Sequence, residues 1–148
     1  MIILHNSKKG NNYIVAKILA KNFNCKTATP EDCPRLSKFN TIIIVVSNTG
    51  DEELPQPMED YLAKLKIKNK KYIVCELGNY FGFENYSGCK KIVFKILNDL
   101  GWEKISDISL DSVPSLDKRS LKKWLSTLNK NDKNKHNNAS VERRKIYQ

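Results

Sequence analysis

Three short stretches of this sequence combine residue types that could do chemistry together. Ser7-Lys8-Lys9-Gly10-Asn11-Asn12 offers a hydroxyl, two ammonium groups, a glycine and two amides, and residues 1–30 contain no acid. If a helix begins there, its unpaired N–H groups and positive dipole end suit a phosphate. Gly10 would let the backbone approach it. The same residues also describe an ordinary turn capped by asparagine, and alone they leave the two readings even. The second stretch, Ser47-Asn48-Thr49-Gly50-Asp51-Glu52-Glu53, passes through a glycine into three acids. That pattern is common in solvated turns. A metal site is conceivable, but the first stretch brings no second acid cluster to face it. The third stretch, Leu77 to Tyr86, holds Tyr80, Phe81, Phe83 and Tyr86. Rings at the rim of a crevice stack on flat ligands. A loop folding back onto the core accounts for two of the four rings and less well for all of them.

Other chemistry is poorly supplied. The four cysteines, Cys25, Cys33, Cys75 and Cys89, form no Cys-x-x-Cys pair, and the two histidines, His5 and His136, stand at opposite ends. A zinc site and a cysteine–histidine pair are both disfavoured. Cys75 lies in an apolar run and reads as a buried structural thiol. Gly-Lys-Ser/Thr, Gly-x-Gly-x-x-Gly and Cys-x5-Arg are all missing, and no acid follows the first apolar run before Glu31. Those absences count against P-loop proteins, dinucleotide folds, small tyrosine phosphatases and response regulators.

The elements that must position these stretches alternate. Ile2 to His5 reads as a buried strand, and Asn11 to Phe23 as a helix with Ile14, Val15, Ile18, Leu19 and Phe23 inward. Cys25 to Ala28 is a candidate edge strand, and Pro30 and Pro34 leave room only for a short helix before Phe39. Thr41 to Val46 is β-branched and apolar on both faces, as in the middle of a parallel sheet. Pro57 suits the start of a helix carrying Met58, Tyr61, Leu62 and Leu65. Tyr72 to Glu76 is a fourth strand, Gly88 to Leu100 a helix ended by Gly101, and a fifth strand falls within Ile105 to Leu110. A last helix runs from about Asp117 to Leu128. Five strands alternating with helices predict an α/β three-layer sandwich. Its parallel sheet has order 2-1-3-4-5, with a ligand crevice beyond the carboxyl ends of strands 1 and 3.

Taken together and in order, the three stretches resemble the flavodoxins over roughly residues 1–128. The first is similar to that family's phosphate loop, Ser/Thr-x-Thr-Gly-Asn-Thr, with Lys9 and Asn12 in place of two threonines. Ser47 to Glu52 is similar to its first flavin loop. Leu77-Gly78-Asn79 with Phe83-Glu84-Asn85-Tyr86-Ser87-Gly88 is similar to its second, one residue longer. The resemblance is to the short-chain type and implies one FMN, held without a covalent link. It assigns Ser7, Lys8, Lys9, Gly10, Asn11 and Asn12 to the phosphate. Asn48, Thr49 and Gly50 fall to one flavin face, and Leu77, Gly78 and Asn79 to the pyrimidine edge. Phe83, then Tyr80, would stack on the other face, and Tyr86 would close the pocket. Gly50 could turn its peptide so that its carbonyl accepts a hydrogen bond from reduced flavin N5. Asp51, Glu52 and Glu53 would oppose negative charge on the fully reduced ring. The cofactor supplies the chemistry, so no catalytic residue is implied.

The expected function is therefore electron transfer, one electron at a time, by a monomer that meets a flavin reductase and redox acceptor proteins transiently. The runner-up is an FMN-dependent reductase or an activator of ribonucleotide reductase. Rapid direct reduction by a nicotinamide nucleotide would mark such an enzyme. A third reading, a nucleic-acid-binding accessory module, rests on the net charge of +10 and on Arg143-Arg144-Lys145. Residues 129–148, rich in asparagine and lysine, read as a disordered basic tail. The start of the chain lacks the pattern of a secretory signal and no run is long enough for a membrane span, which predicts a cytoplasmic protein without membrane contact. The sequons at Asn85 and Asn138 then carry no meaning.

Overall fold

The computed structural model describes residues 1–48, 53–79, 88–113 and 115–131. Strand β1 (Ile2–His5) is followed by helix α1 (Gly10–Phe23), strand β2 (Lys26–Ala28), a single 3-10 turn (Leu36–Lys38) and strand β3 (Thr41–Ser47). Helix α2 (Gln56–Ala63), strand β4 (Lys71–Gly78), helix α3 (Lys90–Asp99) and strand β5 (Glu103–Asp111) complete the alternation. The strands form one parallel sheet of order β2-β1-β3-β4-β5. Its direction of growth reverses between β1 and β3, so the switch point lies where the sequence pattern placed it.

The sheet is apolar on both faces because helices cover both. Ile2, Leu4, Ile42, Ile44, Tyr72 and Val74 pack with Met58 and Leu62 of α2 and Val93 and Leu97 of α3. The alternate residues Ile3, Ile43, Val45, Ile73 and Cys75 are equally buried on the side of α1, which supplies Val15, Ala16 and Leu19. Pro57 lies in the first turn of α2, as the sequence predicts, and Glu59 beside it puts a negative charge at the favourable end of the helix.

Several expectations shift. Ile14 is 43% exposed, and the buried face of α1 is instead Asn12, Val15, Ala16 and Leu19. The spacing of 12, 15, 16 and 19 is as helical as the apolar set, but a buried asparagine is invisible to an apolar count. Leu65 lies beyond the end of α2, though still packed on the core. Strand β4 continues to Gly78 and β5 spans Glu103–Asp111, because the two pair in parallel from Lys71↔Glu103 to Gly78↔Asp111 across an irregularity at Tyr72/Ile73. Leu77 and Gly78 are thus strand residues as well as the start of the third stretch.

Contacts divide the chain into a unit of Met1–Leu116 and a second from Asp117 on. The described part of the second unit is a helix over residues 118–131. Asp117 begins it, accepting hydrogen bonds from the Ser120 N–H (3.0 Å) and hydroxyl (2.6 Å). Leu121, Trp124 and Leu128 are its buried residues. From residue 132 on, the tail expected in residues 129–148 lies outside the described residues. No helix among the described residues is long and apolar enough to cross a membrane.

Candidate functional site

At the end of β1 the chain folds into a turn built on its own side chains. His5 is 2% exposed and its Nδ1–H donates to the Ser7 carbonyl at 2.7 Å. Burial holds its pKa below the usual value, against the opposing pull of the Ser7 bond and of Asp32. Asn12 Oδ1 accepts the N–H groups of Asn6 (3.0 Å) and Ser7 (3.1 Å). Asn12 Nδ2 lies 2.8 Å from Asn6 Oδ1, 3.2 Å from the Val45 carbonyl and 3.2 Å from Ser47 Oγ. Asn6 Oδ1 also accepts the Ser47 N–H at 2.9 Å. Buried polar groups must find partners, and these two amides find one another and so tie the first stretch to the end of β3.

The start of α1 remains open. Its N-cap residue, Lys9, makes no side-chain cap, and no acid lies in the first turn. Gly10 has φ +72°, a left-handed conformation that glycine adopts without strain, and a Cβ there would meet nothing within 4 Å. Ser7 Oγ bonds within the turn, donating to the Lys9 carbonyl and accepting its N–H. Lys8 turns sideways to Asp32 at 3.1 Å. The N–H and hydroxyl of Thr29, with Lys8, hold the Asp32 carboxyl at about 2. Asn11 Nδ2 donates to the Ser112 carbonyl at 3.0 Å.

The neighbouring strand ends are tied as firmly. The Asn48 N–H donates to the Leu77 carbonyl (2.8 Å), and the Ser112 N–H donates to the Gly78 carbonyl (2.9 Å). Asn48 Oδ1 accepts the Cys89 N–H at 3.2 Å. Gly88 packs so closely on the Asn48 amide that a Cβ would lie 2.9 Å from it. Glu76, fully buried, accepts from the N–H groups of Gly88 (3.3 Å) and Lys90 (2.6 Å) and from the Ser109 hydroxyl (3.0 Å). Burial, then the Glu76 charge, push the Cys89 thiol up.

Of the residues singled out in the sequence, the structure brings Ser7 to Asn12, Asn48, Leu77, Gly78 and Asn79 to one edge of the sheet, at the carboxyl ends of β1, β3 and β4. Leu77 is buried, with its carbonyl bonded to the Asn48 N–H, and Asn79 is exposed. Thr49, Gly50, Tyr80, Phe83 and Tyr86, with Asp51 and Glu52, lie outside the described residues. Sequence reasoning missed Asn6, Glu76 and Ser112, and it gave Ser47 no role beyond its place in the second stretch. Glu76 alone left a signal, as the one acid inside an apolar strand. Among the described residues no cluster of His, Cys, Asp and Glu is placed to hold a metal.

An open, uncapped helix start without acids, at the switch point of a 2-1-3-4-5 sheet, fits the phosphate of a mononucleotide. Solved structures share the architecture. Flavodoxin 1 from Bacillus cereus superposes with a TM-score of 0.68 at 17% identity, covering 85% of this chain and 92% of that one. The fold is that of the flavodoxins. The two-electron reduced flavodoxin of Megasphaera elsdenii matches with a TM-score of 0.63 at 18% identity over 74% of this chain and 85% of its own. A Fusobacterium nucleatum flavodoxin bound to flavin mononucleotide matches with a TM-score of 0.59 at 15% identity, over 70% and 67% of the two chains. No family model and no curated protein matches the sequence.

Proposed function

We propose that this chain belongs to the flavodoxins, binds one FMN and carries single electrons between a reductase and an acceptor protein. The observation that carries the reading is the uncapped, acid-free start of α1 at the switch point of a flavodoxin fold, a fold whose Fusobacterium nucleatum example binds this cofactor. FMN, when bound, supplies reversible one-electron chemistry, and the protein supplies place and field.

The phosphate would sit on the first turn of α1, with Gly10 giving access, Lys9 adding charge, and Ser7 and Asn11 at the rim. Asn12 serves differently from the threonine it replaces: its amide is spent on shaping the turn, so it orders the phosphate site from beneath. Asn48, Gly78 and Asn79 would bound the ring through the ends of β3 and β4, and Thr49, Gly50, Tyr80, Phe83 and Tyr86 would complete its surround. The net charge of +10 favours acidic partners.

Titration of the ligand-free full chain with FMN tests the reading. Flavin fluorescence should be quenched at one equivalent, whereas no response at high micromolar FMN would end it. Reduction of the loaded protein through a reductase, and only slowly by a nicotinamide nucleotide directly, separates a carrier from an enzyme.

A further inference from the structure

Glu76 is a fully buried acid. It stands inside an otherwise apolar strand, where an acid needs a reason, because an enclosed carboxylate is costly unless donors replace its water. Among the described residues three elements supply them: the chain entering α3 through Gly88, the first residue of α3 through the Lys90 N–H, and β5 through the Ser109 hydroxyl. The ammonium of Lys90 turns elsewhere, to Asp107 at 2.9 Å, where Lys104 also lies at 2.8 Å. Glu76 immediately precedes Leu77-Gly78-Asn79, the part of β4 that reaches the candidate site. Asn48, from the other side of that site, holds the intervening Cys89 N–H. A neutral amide thus suffices for one N–H of this turn, while a carboxylate serves its two neighbours.

We propose that Glu76 is a positioning residue with an electrostatic effect: it anchors the start of α3 under the flavin end of the site, and its charge disfavours the reduced ring. The inference rests on the FMN reading and deepens it. Addition of two electrons and one proton to the bound ring leaves one net negative charge there. A fixed negative charge in the adjoining protein interior opposes that gain more than it opposes binding of the neutral oxidised ring.

The test compares wild type, Glu76→Gln, Glu76→Asp and Ser109→Ala as full chains, with FMN as ligand and dithionite as reductant. For each, the affinity for two-electron-reduced FMN is divided by the affinity for oxidised FMN, and the urea midpoint of the ligand-free chain is measured. Glu76→Gln should raise the ratio about fivefold, the size expected for one charge at moderate effective dielectric. Glu76→Asp keeps the charge and shortens its reach, so its ratio should stay within twofold of wild type while its urea midpoint falls. Ser109→Ala should likewise lower the midpoint and leave the ratio. An unchanged ratio in Glu76→Gln, or an equal rise in Glu76→Asp or Ser109→Ala, overturns the proposal. Should Glu76→Gln not fold, Glu76→Met, which removes the charge at similar volume, takes its place with the same expected rise and the same overturning result. A wild-type chain that binds no FMN sinks the underlying reading as well, and that result is seen before any variant is made.

Discussion

Two helices begin at the same edge of the sheet, and the protein treats their N-termini in opposite ways. At α1 the cap residue is a lysine with no side-chain bond, the first turn holds no acid, and the space over Gly10 is open. At α3 the N–H groups of Gly88, Cys89 and Lys90 are taken by Glu76 and Asn48. Every helix leaves its first N–H groups without intrahelical partners. Among the described residues, the chain supplies its own anion at one start and none at the other. The contrast favours α1 as the start that takes an external anion, and it divides the proposed site into a neutral or cationic end for the phosphate and an end that carries a buried carboxylate.

Lys9→Asp breaks the comparison most directly, because it gives α1 the anionic cap that α3 already has. The ligand-free chain should gain about 1 kcal/mol from the new cap. FMN binding should weaken by roughly 2–3 kcal/mol, about a hundredfold in Kd, while riboflavin, which lacks the phosphate, should bind as before. Fluorescence titration with both ligands and urea unfolding measure all three quantities. An equal loss for riboflavin would place the phosphate elsewhere.

Asn12→Leu attacks the platform instead of the charge. It leaves the N–H groups of Asn6 and Ser7 without the Asn12 oxygen and removes a donor to the Val45 carbonyl. Loss of these bonds at a buried position should cost about 2–3 kcal/mol in urea unfolding. FMN affinity should fall with it, since the turn is no longer fixed to β3. If stability falls and affinity does not, the turn is formed by the phosphate rather than prepared for it.

The sheet and its switch point were readable because apolar runs such as Thr41–Val46 have a strand period and buried parallel strands need no alternation. The uses of Asn12 and Glu76 were not. Asn12 stands where a threonine would bond a phosphate, and its actual partner Val45 is 33 residues away. Glu76 meets Lys90 and Ser109 at separations of 14 and 33. Local pattern says which side chains can donate or accept; only the register of β1 with β3 and of β4 with β5 says to whom. Ile14 shows the same limit from the apolar side, since the face it would share was decided by a buried amide.

The smallest expected effect concerns His5, beneath the turn proposed to hold the phosphate. Burial lowers its pKa in the folded chain relative to 6.5, while Asp32 pulls it up and Lys17 and Lys8 push it down. Between the folded value and 6.5 the unfolded chain binds more protons, so stability there rises with pH. The contribution is fully present above pH 6.5 and is lost as pH falls through the folded value. Asp32, held at about 2, titrates well below this window. The urea midpoint of the ligand-free chain should therefore drop modestly from pH 7 to pH 5, and His5→Gln should flatten that stretch. A bound dianion beside the turn favours the protonated ring, so FMN-loaded protein should show a shallower slope than the ligand-free chain. Equal slopes in the two forms would mean that the phosphate end of the site is not the turn that His5 supports.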